Sequence, residues 1–372
     1  VETHTGSWQG SGGKNPAHAG NRSFALVMPR AGGVKLELRS TLVDSYLYLL
    51  RDGKVVAEDD NSGGGQHALI DLPLSKISSA AYAQAYYTAV DPLNERTTLA
   101  GYLRRNCFTG GHPDCVGQTL GVQHHVVFRD SKDLGYGRNM YARRNSNGSV
   151  AFYVDNYVIR LQPGSSSNYG PINVEAAVRE NREYHVGTNA IEFSPDPNDP
   201  TQFITKFFTY NKAGQRLTSA DLDGRGIKHM PAMCWVCHGG RLMPLEADGS
   251  FPAFSLRSAK LNQLEVDSFE YSALAGWSRA DLESGLRAMN EFVHGTYVAM
   301  EGRPDEQAAK WYAGFAKEVA EGRYGGAAFP ATTYQVDHVP AGWQQTASRP
   351  EGVEQLYKQV VEPHCVACHS LQ

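Results

Sequence analysis

The sequence predicts an α+β chain in three parts: an antiparallel β-sandwich over residues 1–75, a mixed strand-rich region over 76–230 and a mostly helical region over 231–372. Three observations carry this. Between 22 and about 75, short apolar or alternating runs are separated by turn residues, the pattern of half-buried strands. From 76 to 230, strand candidates lie among long irregular segments rich in Tyr, Asn and Gly. From 256 onward, apolar residues recur at helical spacing between capping residues. The chain has 372 residues, 41% hydrophobic and 20% charged, which suits a globular protein able to bury several cores. The net charge of −4 gives no reason to expect nucleic acid or anionic lipid as a partner. No apolar run approaches the ~18 residues of a membrane helix.

The first twenty residues, "VETHTGSWQGSGGKNPAHAG", read as a polar, glycine-rich lead-in. The "GSGGKN" inside is not a phosphate loop, because its glycines are misplaced and Asn15 stands where Ser or Thr would hold magnesium. The runs "SFALVM", "VKLELRS", "SYLYLL", "KVVAED" and "HALIDL" then read as strands. "RDGK" is a hairpin signal through Asp52-Gly53. The stretch "DSYLYLLRDGKVVAEDDNSGGGQHALIDLPL" resembles the bacterial pre-peptidase C-terminal domain, and the likeness covers roughly residues 20–75. That resemblance implies a jelly-roll-like sandwich whose acidic loop can bind calcium. Asp44, Glu58, Asp59 and Asp60 are the oxygen donors that would carry over. The alternative is a solvated acidic turn. After "LPLS" the closing strand the family leads one to expect is replaced by "SSAAYAQAYYTAV", which is less clearly β.

In the middle region "HHVVFRD", "VAFYVDNYVIRL", "NAIEFS" and "FITKFFTY" are strand candidates, and "VEAAVREN" a short helix. "SADLDGRG" offers Asp221 and Asp223 but lacks the closing Glu of a calcium loop, so it reads as a polar turn. Farther on, "SRADLESGLRAMNEFV" places Leu282, Leu286, Met289 and Val293 on one face behind a Ser278–Asp281 capping pair. "PDEQAAKWYAGFAKEVAEG" opens with Pro304 and ends near Gly322. "PEGVEQLYKQVVEP" is an amphipathic helix expected to stop at Pro363.

Six cysteines carry the chemistry. Four lie in two CxxCH motifs: Cys234, Cys237 and His238, then Cys365, Cys368 and His369. The other two, Cys107 and Cys115 in "CFTGGHPDC", are spaced for a local disulfide. Two thiols three positions apart on one turn reach the two vinyl groups on one porphyrin edge, and the adjacent His supplies the proximal nitrogen. One such motif is moderate support for covalent haem c and two are strong. The alternative is a four-cysteine zinc site, but zinc does not require a His after both pairs. A disulfide and covalent haem both belong to an oxidising compartment: periplasm, cell surface or exterior. The chain starts at Val1, as expected after removal of a signal peptide, although removal of an expression tag gives the same start.

"EQLYKQVVEPHCVACH" resembles the opening helix of the cytochrome c domain. The resemblance implies proximal ligands His238 and His369, thioether links at the four cysteines, and a distal Met or His some tens of residues on. For the first haem the candidates are Met289, His294 and Met300; Met243 is too close to His238 to turn around the porphyrin edge. Only three residues follow His369, so its far face is left to one of three sources. Either the chain is cut from a longer one, or an earlier His (His124, His125, His229 or His338) reaches back, or a neighbouring subunit supplies the ligand. His364 is placed to ligate a haem other than its own, with a solvent-facing histidine as the alternative.

Three functions follow. The first is an electron-transfer dihaem cytochrome whose partners are a redox protein or like subunits, which could polymerise. The second is a dihaem peroxidase- or oxygenase-like enzyme with one open haem face. Such enzymes carry each motif in a full domain, an arrangement absent here. The third is a binding protein in which the β module attaches to a surface and the haems are secondary.

Overall fold

The computed structural model describes residues 79–130, 133–159, 172–222, 226–246, 248–301, 306–366 and 369–371, together with the strand segments 34–38, 47–51, 54–59 and 68–72; for these four segments and 306–313 it describes the backbone alone. The chain divides into two compact units, 1–75 and 76–372. In the first, strands β1 (Val34–Leu38), β2 (Leu47–Arg51), β3 (Lys54–Asp59) and β4 (Ala68–Leu72) pair antiparallel, β1 with β4 and β2 with β3. Arg51 stands opposite Lys54, so the hairpin signal sits between paired ends. The strand expected at "SFALVM" and the calcium candidates Asp44 and Asp60 lie outside the described residues, and Glu58 and Asp59 are described in backbone only.

The second unit is a mixed α/β assembly. Its first element is helix α1 (Ala80–Val90), capped by the Ser79 hydroxyl, which accepts from the Tyr82 amide at 3.1 Å. The stretch that read as an unclear strand is therefore helical. An N-cap serine and five alanines favour the helix, and Tyr82, Tyr86 and Tyr87 are its buried aromatics. Helix α2 (Leu99–Arg105) follows, capped by Thr98. Beyond it Cys107 and Cys115 form the expected disulfide, their Cα atoms 5.4 Å apart. The bridge closes a loop with a sequence separation of 8. Replacing both cysteines with serine is expected to cost about 2–3 kcal/mol of stability, measurable by denaturant unfolding.

Strands β5 (His124–Asp130), β6 (Gly137–Arg144) and β7 (Val150–Tyr157), helix α3 (Ile172–Val178), and strands β8 (His185–Asp196) and β9 (Asp199–Tyr210) come next. After them lie the β10 (Ser219–Ala220) and β11 (Lys228–His229) ribbon, helices α4 (Ala232–Trp235) and α5 (Ala253–Ser258), and β12 (Phe269–Glu270). Six strands form one antiparallel sheet in the order β12-β5-β6-β7-β8-β9. Helix α6 (Arg279–Met300) carries the expected capping box of Ser278 and Asp281, and α7 (Glu306–Arg323) follows. The short α8 (Val353–Leu356) runs on as a π-helix through Tyr357–Val366. The expected stop at Pro363 does not occur. Proline has no N–H to donate, and the wider i→i+5 register absorbs it. Among the described residues no helix is long and apolar enough to cross a membrane.

Strand alternation places the sheet between two layers. Val126, Phe128, Met140, Ala142, Phe152 and Val154 share one core with Leu282, Leu286, Met289 and Val293 of α6 and Ala316 and Ala320 of α7. Val127 and Tyr157 point the other way and pack with Val174, Ala176 and Ala177 of α3. On that second face three cross-strand partners stack: His125 on Tyr141 at 4.3 Å and Tyr141 on Tyr153 at 4.5 Å between ring centroids. Trp277 and Phe108 close the row edge-on. A buried ionic layer ties β8 to the loop after α1. Glu192 receives Arg96 at 2.8 Å and Asn106 at 2.7 Å, with Lys206 at 3.6 Å; Arg96 and Arg216 also pair with Asp91.

Candidate haem-attachment site

The first motif is one turn of chain wound onto Pro231. The Pro231 carbonyl accepts from Cys234 and Trp235, the Cys234 carbonyl accepts from Cys237, and the Trp235 carbonyl accepts from His238. This turn sets Cys234 and Cys237 close to one another, with His238 the next residue along the chain. The two residues between the cysteines have opposite environments. Trp235 is buried against the edges of Tyr86 and Phe251, which anchors the turn, and Val236 is exposed. Gly240 is required beneath it, since a Cβ there would fall 2.3 Å from the Trp235 ring.

His238 has its Nδ1 2.9 Å from the Lys260 carbonyl, and the Lys260 amide returns a bond to the His238 carbonyl at 2.9 Å. A ring nitrogen facing a carbonyl must carry the proton, which leaves Nε2 as the lone-pair nitrogen. Burial pushes the imidazole down to about 4, against the opposing effect of that bond, so the ring is neutral at physiological pH. The Phe207 ring lies edge-on at 4.9 Å. Burial, then the neighbouring Cys237, pushes the Cys234 thiol up to about 12. The Cys234 thiol faces the Met230 sulfur at 3.7 Å. Haem c takes a neutral imidazole on its iron, as His238 offers, and two cysteines on one turn for its thioether links, as Cys234 and Cys237 offer. The residues present fit the group.

The second motif continues the terminal helix. Tyr357 and Val366 are buried with Val339, and Trp343 tilts against Tyr357 at 5.6 Å. Arg323, at the end of α7, is buried, donates to the Gln335 and Val336 carbonyls and pairs with Glu362, three residues before Cys365. His364 is exposed and Cys365 half-buried, whereas Cys368 lies outside the described residues. His369 is exposed, and Ser370 and Leu371 turn back into the protein and are buried.

The fold brings the two motifs together. Gly239, next to His238, has φ of +65°, and a Cβ there would lie 2.3 Å from the Leu371 carbonyl oxygen. Leu371 shares a core with Leu261, Tyr297 and Met300. Asn262 spans the two loops: its amide nitrogen lies 3.4 Å from the Cys237 carbonyl, and its carbonyl oxygen accepts from the Ser370 hydroxyl at 3.1 Å. By bond lengths alone, the His238 and His369 Cα atoms are at most about 18 Å apart. The strap Lys260–Asn262 therefore touches both motifs. Sequence reasoning missed it, because two of its bonds come from backbone groups and "AKLNQL" matches no motif.

The distal candidates are dispersed. His294 is buried on α6 and held by Glu321 of α7 at 2.8 Å, a bond it must release to reach a metal. Met289 and Met300 are buried in the α6 core. Met243 is exposed, its carbonyl accepting from the Tyr82 hydroxyl. His124 packs against Phe292, His125 belongs to the sheet stack and His229 to β11. The His338 ring lies over Gly322, with no space for a Cβ between them. Among the described residues no three His, Cys, Asp or Glu converge to hold a metal ion. Comparison of the chain with known protein families, with curated proteins and with solved structures gives no match.

Proposed function

We propose that this protein is a secreted dihaem c-type cytochrome for electron transfer, with a jelly-roll-like N-terminal sandwich and a cytochrome c-like helical C-terminal part. The observation that carries the reading is the meeting of two CxxCH motifs 131 positions apart in sequence at the Gly239–Leu371 contact. Bound haem iron would supply reversible one-electron chemistry. Cys234, Cys237, Cys365 and Cys368 would hold the groups, and His238 and His369 would supply proximal nitrogens. The Lys260 carbonyl fixes the His238 tautomer and raises its basicity as a ligand. The Cys107–Cys115 disulfide supports an oxidising compartment outside the cytoplasm. Exposed His364 suits the role of a far-face ligand to the haem of a neighbouring subunit.

Intact mass of protein made in a host that matures c-type cytochromes tests this. The expected result is a gain of two haems, with one lost in Cys234→Ala/Cys237→Ala and the other in Cys365→Ala/Cys368→Ala. A mass with those thiols unmodified overturns it. Two low-spin haems unresponsive to peroxide are expected; a high-spin haem that binds peroxide would favour an enzyme. A monomer of 40.7 kDa in solution would remove the assembly.

A further inference from the structure

We infer that Asn262 is a positioning residue that locks the two attachment loops at one fixed separation. The inference rests on the dihaem reading for its redox consequence, but its structural part stands on contacts alone. Three links join the loops through one strap. The Lys260 backbone bonds His238 twice, at its carbonyl and its ring. Leu261 lies in the core that also takes Leu371. Asn262 gives its amide hydrogen to the Cys237 carbonyl and takes the Ser370 hydroxyl hydrogen. The Asn262 side chain makes a polar bond to each motif's loop. It touches the carbonyl of the second thioether residue of one motif and the residue following the proximal histidine of the other. Asparagine suits the place because one short amide carries both a donor and an acceptor.

The consequence is that neither loop can shift without straining the other. Two charges held at fixed separation in a partly buried region feel each other, so reduction at one site changes the potential of the other by an amount set by their distance. Loss of the bridge frees the second loop to move outward, which weakens that coupling.

The test uses the full chain and two variants, Asn262→Ala and Ser370→Ala, each checked first for attached haem by mass. Hydrogen exchange is read at 237–240 and 369–371, and a spectroelectrochemical titration is read on the same samples. In both variants exchange is expected to rise at least several-fold at 369–371, and in Asn262→Ala at 237–240 as well. The parent titration is expected to depart from two independent one-electron steps, and both variants to approach them. Unchanged exchange in both variants overturns the bridge, whether or not haem is present. Faster exchange with an unchanged titration in the dihaem protein overturns the coupling. A parent protein with no haem overturns the functional reading, and exchange then still decides the bridge.

Discussion

Replacing Glu192 with glutamine is expected to lower the stability of the 76–372 unit by about 3–5 kcal/mol, the usual cost of removing one partner from a buried ion pair. Glu192 is fully buried and is bonded by Arg96 and Asn106, with Lys206 close by. Burial alone would raise its pKa, but Arg96 and Lys206 overcome that and hold the carboxyl well below the usual range. Glutamine keeps the shape and loses the charge, leaving two buried cations facing a neutral amide. Denaturant unfolding at pH 7 measures the loss. The pH dependence gives a second signature. A carboxyl whose folded pKa is depressed stabilises above its unfolded value near 4.5 and loses that contribution as pH falls. The parent should therefore weaken on acidification below that value, and the variant should weaken less steeply, by about 1.4 kcal/mol per pH unit. Lys206 acts in the opposite direction: burial pushes it down to about 8, so its charged form is disfavoured on folding. Its contribution makes the parent more stable as pH rises from about 8 toward 10.5, and in the variant that rise should begin at lower pH. Equal acid limbs in the two proteins would show that Glu192 is not the group responsible.

Gly239→Ala is expected to displace the residues after His369. The backbone at Gly239 is left-handed, which costs an alanine roughly 1–2 kcal/mol. The added methyl would also meet the Leu371 carbonyl oxygen, a backbone atom that cannot swing aside, for about 1–3 kcal/mol more. Gly249→Ala separates the two effects, since Gly249 is left-handed at +84° with nothing near its missing Cβ. That control should lose only the strain. Exchange at Ser370 and Leu371 should rise sharply in Gly239→Ala and stay at the parent level in Gly249→Ala. Equal protection in all three proteins would show that the Gly239 contact does not hold the second loop.

Much of the fold was legible where burial and periodicity agree. "HHVVFRD" alternates Val126 and Phe128 against Val127, and the structure sends these to opposite faces of the sheet. The Ser278–Asp281 cap and the apolar seam of α6 were equally readable. Strand β6 was not, because "GRNMYARR" carries three arginines. Arg143 is nonetheless buried, its charge spread over Asn145, the Gly121 carbonyl and the Thr119 carbonyl, partners that only the folded chain assembles. The cysteine spacing announced the Cys107–Cys115 bridge, and it marks the two CxxCH motifs. Nothing in it announced that the motifs meet, since that depends on Asn262 and on a glycine whose requirement is set by a residue more than a hundred positions away.

The stacked row on the α3 face of the sheet has a practical use. His125, Tyr141 and Tyr153 come from three adjacent strands, with their rings nearly parallel. Chromophores held that way share their electronic transitions, so the near-ultraviolet circular dichroism of this protein should carry an exciton signature from the tyrosines. Trp277, edge-on to His125, should show muted emission that brightens when the strands separate. The sheet thus carries its own optical reporter, readable in protein that has never met a porphyrin.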